Sequence, residues 1–132
     1  MRYLVAFLIL GAIFAIIDTI WLKCTSRFYK RQLGSLLLGK PNIGAAISFY
    51  VIYIAGLIAF TPTAMPNRPG RWLEVGILGA LLGIVAYSTY DLTNLATIKK
   101  WPLRITVIDI MWGTIISGVS CMLTYLILQW WF

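Results

Sequence analysis

The chain has no histidine, two cysteines and only four acidic residues among its 132. Without histidine, a His-ligated haem, a His-based catalytic triad and a His-containing zinc site are all excluded. Cys24 falls near the end of the first apolar run, while Cys121 lies about 18 Å beyond Asp109 along one helix at about 1.5 Å per residue, so no disulfide is expected. No glycine-rich phosphate loop or dinucleotide fingerprint stands at a strand-to-helix turn. Charged residues are also scarce, at 11% against 61% hydrophobic, with a mean hydropathy of +0.87. That is too little polar surface for a soluble globule, so the chain reads as an integral membrane protein.

Crossing the hydrocarbon takes about 20 apolar residues, and four stretches qualify: residues 3–22, 43–64, 72–98 and 105–129. The last two exceed the minimum, so tilt or protrusion is expected. The first run continues without a small-x-small cleavage signal into Asp18-Thr19-Ile20-Trp21, so it reads as a transmembrane helix and not a signal peptide. The expected fold is all-α, a four-transmembrane-helix bundle in which residues 1–132 form one domain.

Lysine and arginine in short loops set orientation. Lys23, Arg27, Lys30, Arg31, Lys40, Lys99, Lys100 and Arg104 fall on one side, against Arg2, Arg68 and Arg71 on the other. The eight-residue side is expected to be cytoplasmic in a bacterial inner membrane, with both termini on the outer, periplasmic side. Basic loops against anionic headgroups account for the net charge of +7 without nucleic-acid binding.

Three of the four acids, Asp18, Asp91 and Asp109, lie inside the spans. A carboxylate there costs about 3 kcal/mol or more at the centre of a helix, so each needs a partner or a purpose. The topology brings all three toward the basic side, with Asp109 roughly 7 to 8 Å below Arg104 at about 1.5 Å per residue. Two similar strings contain them, Ile17-Asp18-Thr19-Ile20-Trp21 and Ile108-Asp109-Ile110-Met111-Trp112. Asp and Trp three apart share a helix face. Tyr50-x-x-Tyr53 and Tyr87-x-x-Tyr90 sit at matched depth, a loose internal correspondence of the first helix with the fourth and the second with the third. Helical spacing puts Tyr87, Asp91 and Asn94 on one stripe. Further toward the other side, Gly76, Gly79 and Gly83 invite close helix packing, with Gly113-x-x-x-Ser117 as a facing surface.

Structural roles compete with functional ones. The aspartates can simply accept hydrogen bonds from Tyr hydroxyls, Asn94 and Thr93, or pair with Lys23 or Arg104. Trp72, Trp101, Trp130 and Trp131 read as interfacial anchors, while for Trp21 and Trp112 both anchor and cavity wall stand. Glu74, at the start of the third helix, suits the helix dipole. No cofactor or structural metal is expected, since Mg²⁺ or Ca²⁺ wants more oxygen ligands than three carboxylates supply.

Asp18-x-x-Trp21-Leu22, Ser48-Phe49-Tyr50-x-x-Tyr53-x-x-Gly56, the run from Ala86 through Tyr90-Asp91-Leu92-Thr93-Asn94 to Ala96 with Trp101-Pro102 beyond, and Asp109-x-x-Trp112-Gly113 together resemble the DUF2177 family of predicted bacterial membrane proteins. The resemblance covers nearly the whole chain. It implies four helices in a bacterial inner membrane and a setting near membrane-lipid modification, and it carries over no catalytic role.

The favoured reading is a protein that binds a lipid or small amphiphile. Asp91 is its central acid, Asp18 and Asp109 are coupled neighbours, Tyr87, Tyr90, Asn94, Tyr50 and Tyr53 form a polar lining, and Trp21 and Trp112 are walls. On this reading Asp91→Asn folds but is inactive. Three other classes stay open. A membrane enzyme in lipid modification would use one Asp as general acid or base. A proton- or cation-coupled transporter would depend on a gradient. An accessory subunit would meet a second copy or a larger membrane complex through the Gly-rich face of the third helix.

Overall fold

The computed structural model describes residues 1–37, 39–67 and 70–132. Arg68, one of the three basic residues assigned to the less basic side, lies outside the described residues. Four α-helices account for most of the chain, α1 (Arg2–Leu33), α2 (Ile43–Phe60), α3 (Trp72–Thr97) and α4 (Leu103–Trp131), with short 3₁₀ turns at Gly34–Leu36 and Pro62–Ala64. All four are long and apolar enough to cross a membrane.

The largest departure from the expected boundaries is α1, which runs to Leu33 and not to about residue 22. Lys23, Arg27, Lys30 and Arg31 are all exposed, and their spacing gathers them on one face. Thr25, Phe28, Tyr29 and Gln32 occupy the other side and are partly buried. Basic residues therefore mark where α1 leaves the apolar slab and do not end it. Termination comes at Gly34, whose φ of 51° suits glycine and whose N–H bonds back to Lys30 O. By contrast α2 stops at Phe60, four residues short of the expected end, because Thr61 precedes Pro62 and takes an extended backbone (φ −131°, ψ 156°). Asn42 caps its start, its side chain accepting from Ala45 N at 3.0 Å. At the head of α3, Glu74 receives two bonds from Arg71, at 2.6 and 2.7 Å.

The closest helix pair is α3 with α4, and glycine is the reason. A Cβ on Gly79 would lie 2.9 Å from Ser117 O, and one on Gly118 would lie 2.8 Å from Gly76 O. Backbone meets backbone there, as small residues permit. The Gly-rich face of the third helix, offered above to a second copy or a larger complex, is thus filled by α4. A core of Leu10, Phe14, Ile54, Leu57, Val75, Ile116 and Tyr125 joins all four helices. Exposed apolar side chains, such as Leu4, Leu8 and Ile16 on α1 and Met111 and Ile115 on α4, form the surface that lipid covers. Trp130 and Trp131 are exposed at the end of α4 and Trp72 at the start of α3, as anchors require. Trp101 is more than an anchor, since it donates to Thr106 Oγ1 at 3.1 Å and meets Tyr90 edge-on.

Candidate functional site

Toward the basic end the helices part and line a half-open cavity of about 530 Å³. The α1 helix contributes Asp18, Trp21, Leu22 and Tyr29 to its wall, α2 contributes Phe49, α3 contributes Ala86, Tyr87 and Tyr90, and α4 contributes Asp109 and Trp112. Six of the ten sequence-derived candidates therefore line one space: Asp18, Trp21, Tyr87, Tyr90, Asp109 and Trp112. The other four stand around it. Tyr50 donates to Asp18, and Asn94 lies beside the Tyr90 hydroxyl. Tyr53 is buried, its hydroxyl 2.6 Å from Ser117 Oγ. Asp91 is also fully buried, behind Asp109.

The two Asp-x-x-Trp strings cross. Trp112 Nε1 donates to Asp18 Oδ1 at 3.1 Å, so the fourth helix's tryptophan serves the first helix's aspartate. Reciprocally, Trp21 stands within hydrogen-bonding reach of the Tyr29 hydroxyl, which donates to Asp109 Oδ1 at 3.0 Å. The two indoles stack between these bonds, with centroids 4.3 Å apart and planes 7° apart. Antiparallel helices place Asp18 at the depth of Trp112 and Trp21 at the depth of Asp109, which is why two copies of one spacing make a reciprocal clasp. An offset-stacked pair of this kind adds about 0.5–1.5 kcal/mol beyond its burial.

The carboxyls do not form one cluster. Asp18 is held by Tyr50 and Trp112 on one side, while Asp91 meets Asp109 on the other. Neither oxygen of Asp91 finds a hydrogen-bond donor among the described residues. Two facing carboxyls can hydrogen-bond only with a proton between them. The pairing of aspartates with Lys23 or Arg104 is not present, since Arg71 with Glu74 is the ion pair found among the described residues. Among the described residues, the cavity is accordingly walled mainly by aromatics and carboxyls, with no cation lining it.

Tyr29 was missed by the sequence reading, which took its segment for a loop. One signal was available: Trp21, Thr25 and Tyr29 are four apart, a continuous stripe if α1 does not stop. Tyr29→Phe removes the donor to Asp109 and is expected to lower unfolding free energy by about 1 kcal/mol, the usual size of an interhelical bond in membranes. Unfolding in mixed micelles measures it, with the exposed Tyr3→Phe as a control expected to change nothing. Equal behaviour of the two variants would show that the Tyr29 bond contributes no stability.

No curated protein and no solved structure was found to match the chain. A family model described as "Predicted membrane protein (DUF2177)" matches residues 3–126. Four membrane-length helices agree with that description, and with almost the whole chain covered, the protein belongs to the DUF2177 family of predicted membrane proteins.

Proposed function

We propose that this membrane protein binds a lipid or small amphiphile in the cavity at the basic end of the bundle. The observation that carries the reading is the space itself, about 530 Å³ with aromatic walls and two carboxyls already oriented by Tyr50, Trp112 and Tyr29. Ligand sites have this size and character, mostly apolar with a few fixed polar groups. Asp18 and Asp109 face the ligand, and Asp91 acts through Asp109; this moves the centre of the site from Asp91 to the cavity wall. Eight basic residues against three support a bacterial inner-membrane location with both termini outside, so that the cavity lies in the cytoplasmic half.

A proton-coupled transporter is the second reading, favoured by the contact between Asp91 and Asp109. Release of bound ligand driven by a proton gradient across vesicles would distinguish it from a static binding protein.

The test is mass spectrometry of what co-purifies in mild detergent, comparing wild type with Ala86→Phe. Ala86 lines the cavity without joining the polar bonds around it, so a phenyl ring there fills space alone. Wild type is expected to retain a specific amphiphile that Ala86→Phe loses. Retention by both, or a stoichiometric protein partner in both with no small molecule, would overturn the reading, the latter in favour of an accessory subunit.

A further inference from the structure

A second hollow adjoins the first. It is an apolar groove of about 380 Å³ lined by Ile52, Tyr53, Gly56, Phe60 and Leu82, and it shares Phe49 and Ala86 with the cavity. The groove exists because α2 packs on α1, and its approach to α3 includes the Tyr53 ring against Tyr87, with centroids 6.0 Å apart. Its outer edge, Ile52 and Phe60, is exposed to the surrounding lipid. From Phe49 to Phe60 it runs about 16 Å at about 1.5 Å per residue, roughly half the hydrocarbon thickness of a bilayer. The one hydroxyl along it, on Tyr53, is engaged by Ser117.

The two spaces differ in chemistry in a way that specifies an occupant. The cavity presents the carboxyls of Asp18 and Asp109 among Trp21, Trp112, Tyr87 and Tyr90, with no lysine or arginine among the described residues of its wall. Lys23, Arg27, Lys30 and Arg31 are exposed on α1 and line neither space. Carboxyls set among aromatic rings favour an ammonium group, through charge and through the ring quadrupoles. An anionic head would face two acids and no counter-charge. Behind Asp109, the buried Asp91 lies outside the cavity wall, so the charge that faces the space is that of Asp18 and Asp109.

Resting on the binding reading above, we infer that cavity and groove are one site for a long-chain ammonium amphiphile taken from the bilayer, its head between Asp18 and Asp109 and its chain between α2 and α3. The open flank of the groove is the entry, so the ligand need not pass through water.

Purified protein in maltoside micelles is titrated with tetradecyltrimethylammonium, with tetradecanol and with myristate, which share a chain length and differ in charge. Native mass spectrometry or calorimetry reads the binding. The ammonium probe is expected to bind about tenfold or more tighter than either of the others. Asp18→Asn and Asp109→Asn should each erode that preference. For the chain, Gly56→Leu is the variant of choice, since Gly56 lines the groove and a Cβ there would meet nothing within 4 Å. It should abolish the advantage of a tetradecyl over an octyl chain on the same ammonium head.

Equal affinity for the three probes in wild type, or a preference that survives both Asn variants, overturns the ammonium assignment and leaves the cavity reading standing. An undiminished chain-length effect in Gly56→Leu overturns the groove. If no probe binds, the inference fails, and the co-purification experiment decides separately whether the cavity holds anything. The comparison of probes on wild type requires no variant to fold.

Discussion

Valine at Gly83 is expected to separate α3 from α4 and cost about 3 kcal/mol or more, the upper part of the range for overpacking. A Cβ at this position would overlap the Gly113 carbonyl oxygen and stand 2.9 Å from both Ser117 Cβ and Ser117 Oγ. A flexible side chain could turn aside, but a helix backbone cannot, so the helices themselves must move. Ser117 also bonds the Tyr53 hydroxyl, so the disturbance reaches α2. Gly113 extends the argument to the cavity, because a Cβ there would overlap the Tyr87 ring. Gly113→Ala must therefore expel Tyr87 from its place and alter the cavity wall it forms. Gly11→Ala and Gly56→Ala are the controls, since neither position has a neighbour within 4 Å. They are expected to be neutral or to stabilise by up to about 1 kcal/mol, the helix-propensity gain of alanine over glycine. Reversible unfolding in mixed micelles orders the four variants. Comparable losses at Gly83 and Gly56 would show that close approach of α3 and α4 is not what holds the bundle.

Asp91→Asn is expected to fold and to be more stable than wild type by about 1–2 kcal/mol. Asp91 is fully buried, its oxygens meet no donor, and its neighbour is the Asp109 carboxyl, which already accepts from Tyr29. An amide of the same shape offers an N–H to Asp109 without first having to take up a proton. Asp91→Leu is the useful contrast, because it removes the acid without supplying a donor and should gain less. Unfolding of the three proteins under one condition measures both differences. A loss of stability in Asp91→Asn would mean that the acid itself makes a contact beyond Asp109. Should the variant fold yet lose its co-purifying ligand, Asp91 would return to the centre of the site, where its place on the Tyr87 stripe had put it.

Helix packing was legible from composition alone where small residues repeat. Gly76, Gly79 and Gly83 can face only a close neighbour, and Gly113 and Ser117 offered one. The end of α1 was not legible, because charge density indicates exposure to water and says nothing about whether the backbone continues. Lys23, Arg27, Lys30 and Arg31 satisfy both a solvated loop and the outer face of a helix. Tyr29 was lost with that choice. The halt of α2 before Pro62 was available from the steric rule for the residue preceding proline, which the hydropathy of the run concealed.

By itself the sequence determined that this chain is a bundle of four spanning helices with three acids toward its basic end, because hydropathy, charge and helical spacing are properties of each segment alone. The tertiary structure decided which groups meet. It turned two like-spaced Asp and Trp pairs into a crossed clasp, put Asp91 against Asp109 and apart from Asp18, and held α2 away from α3 to leave a groove. Those outcomes depend on the rotation and separation of one helix against another. Both are set by how side chains such as Gly113 and Tyr87 fit across the interface, which no periodicity within a single segment records.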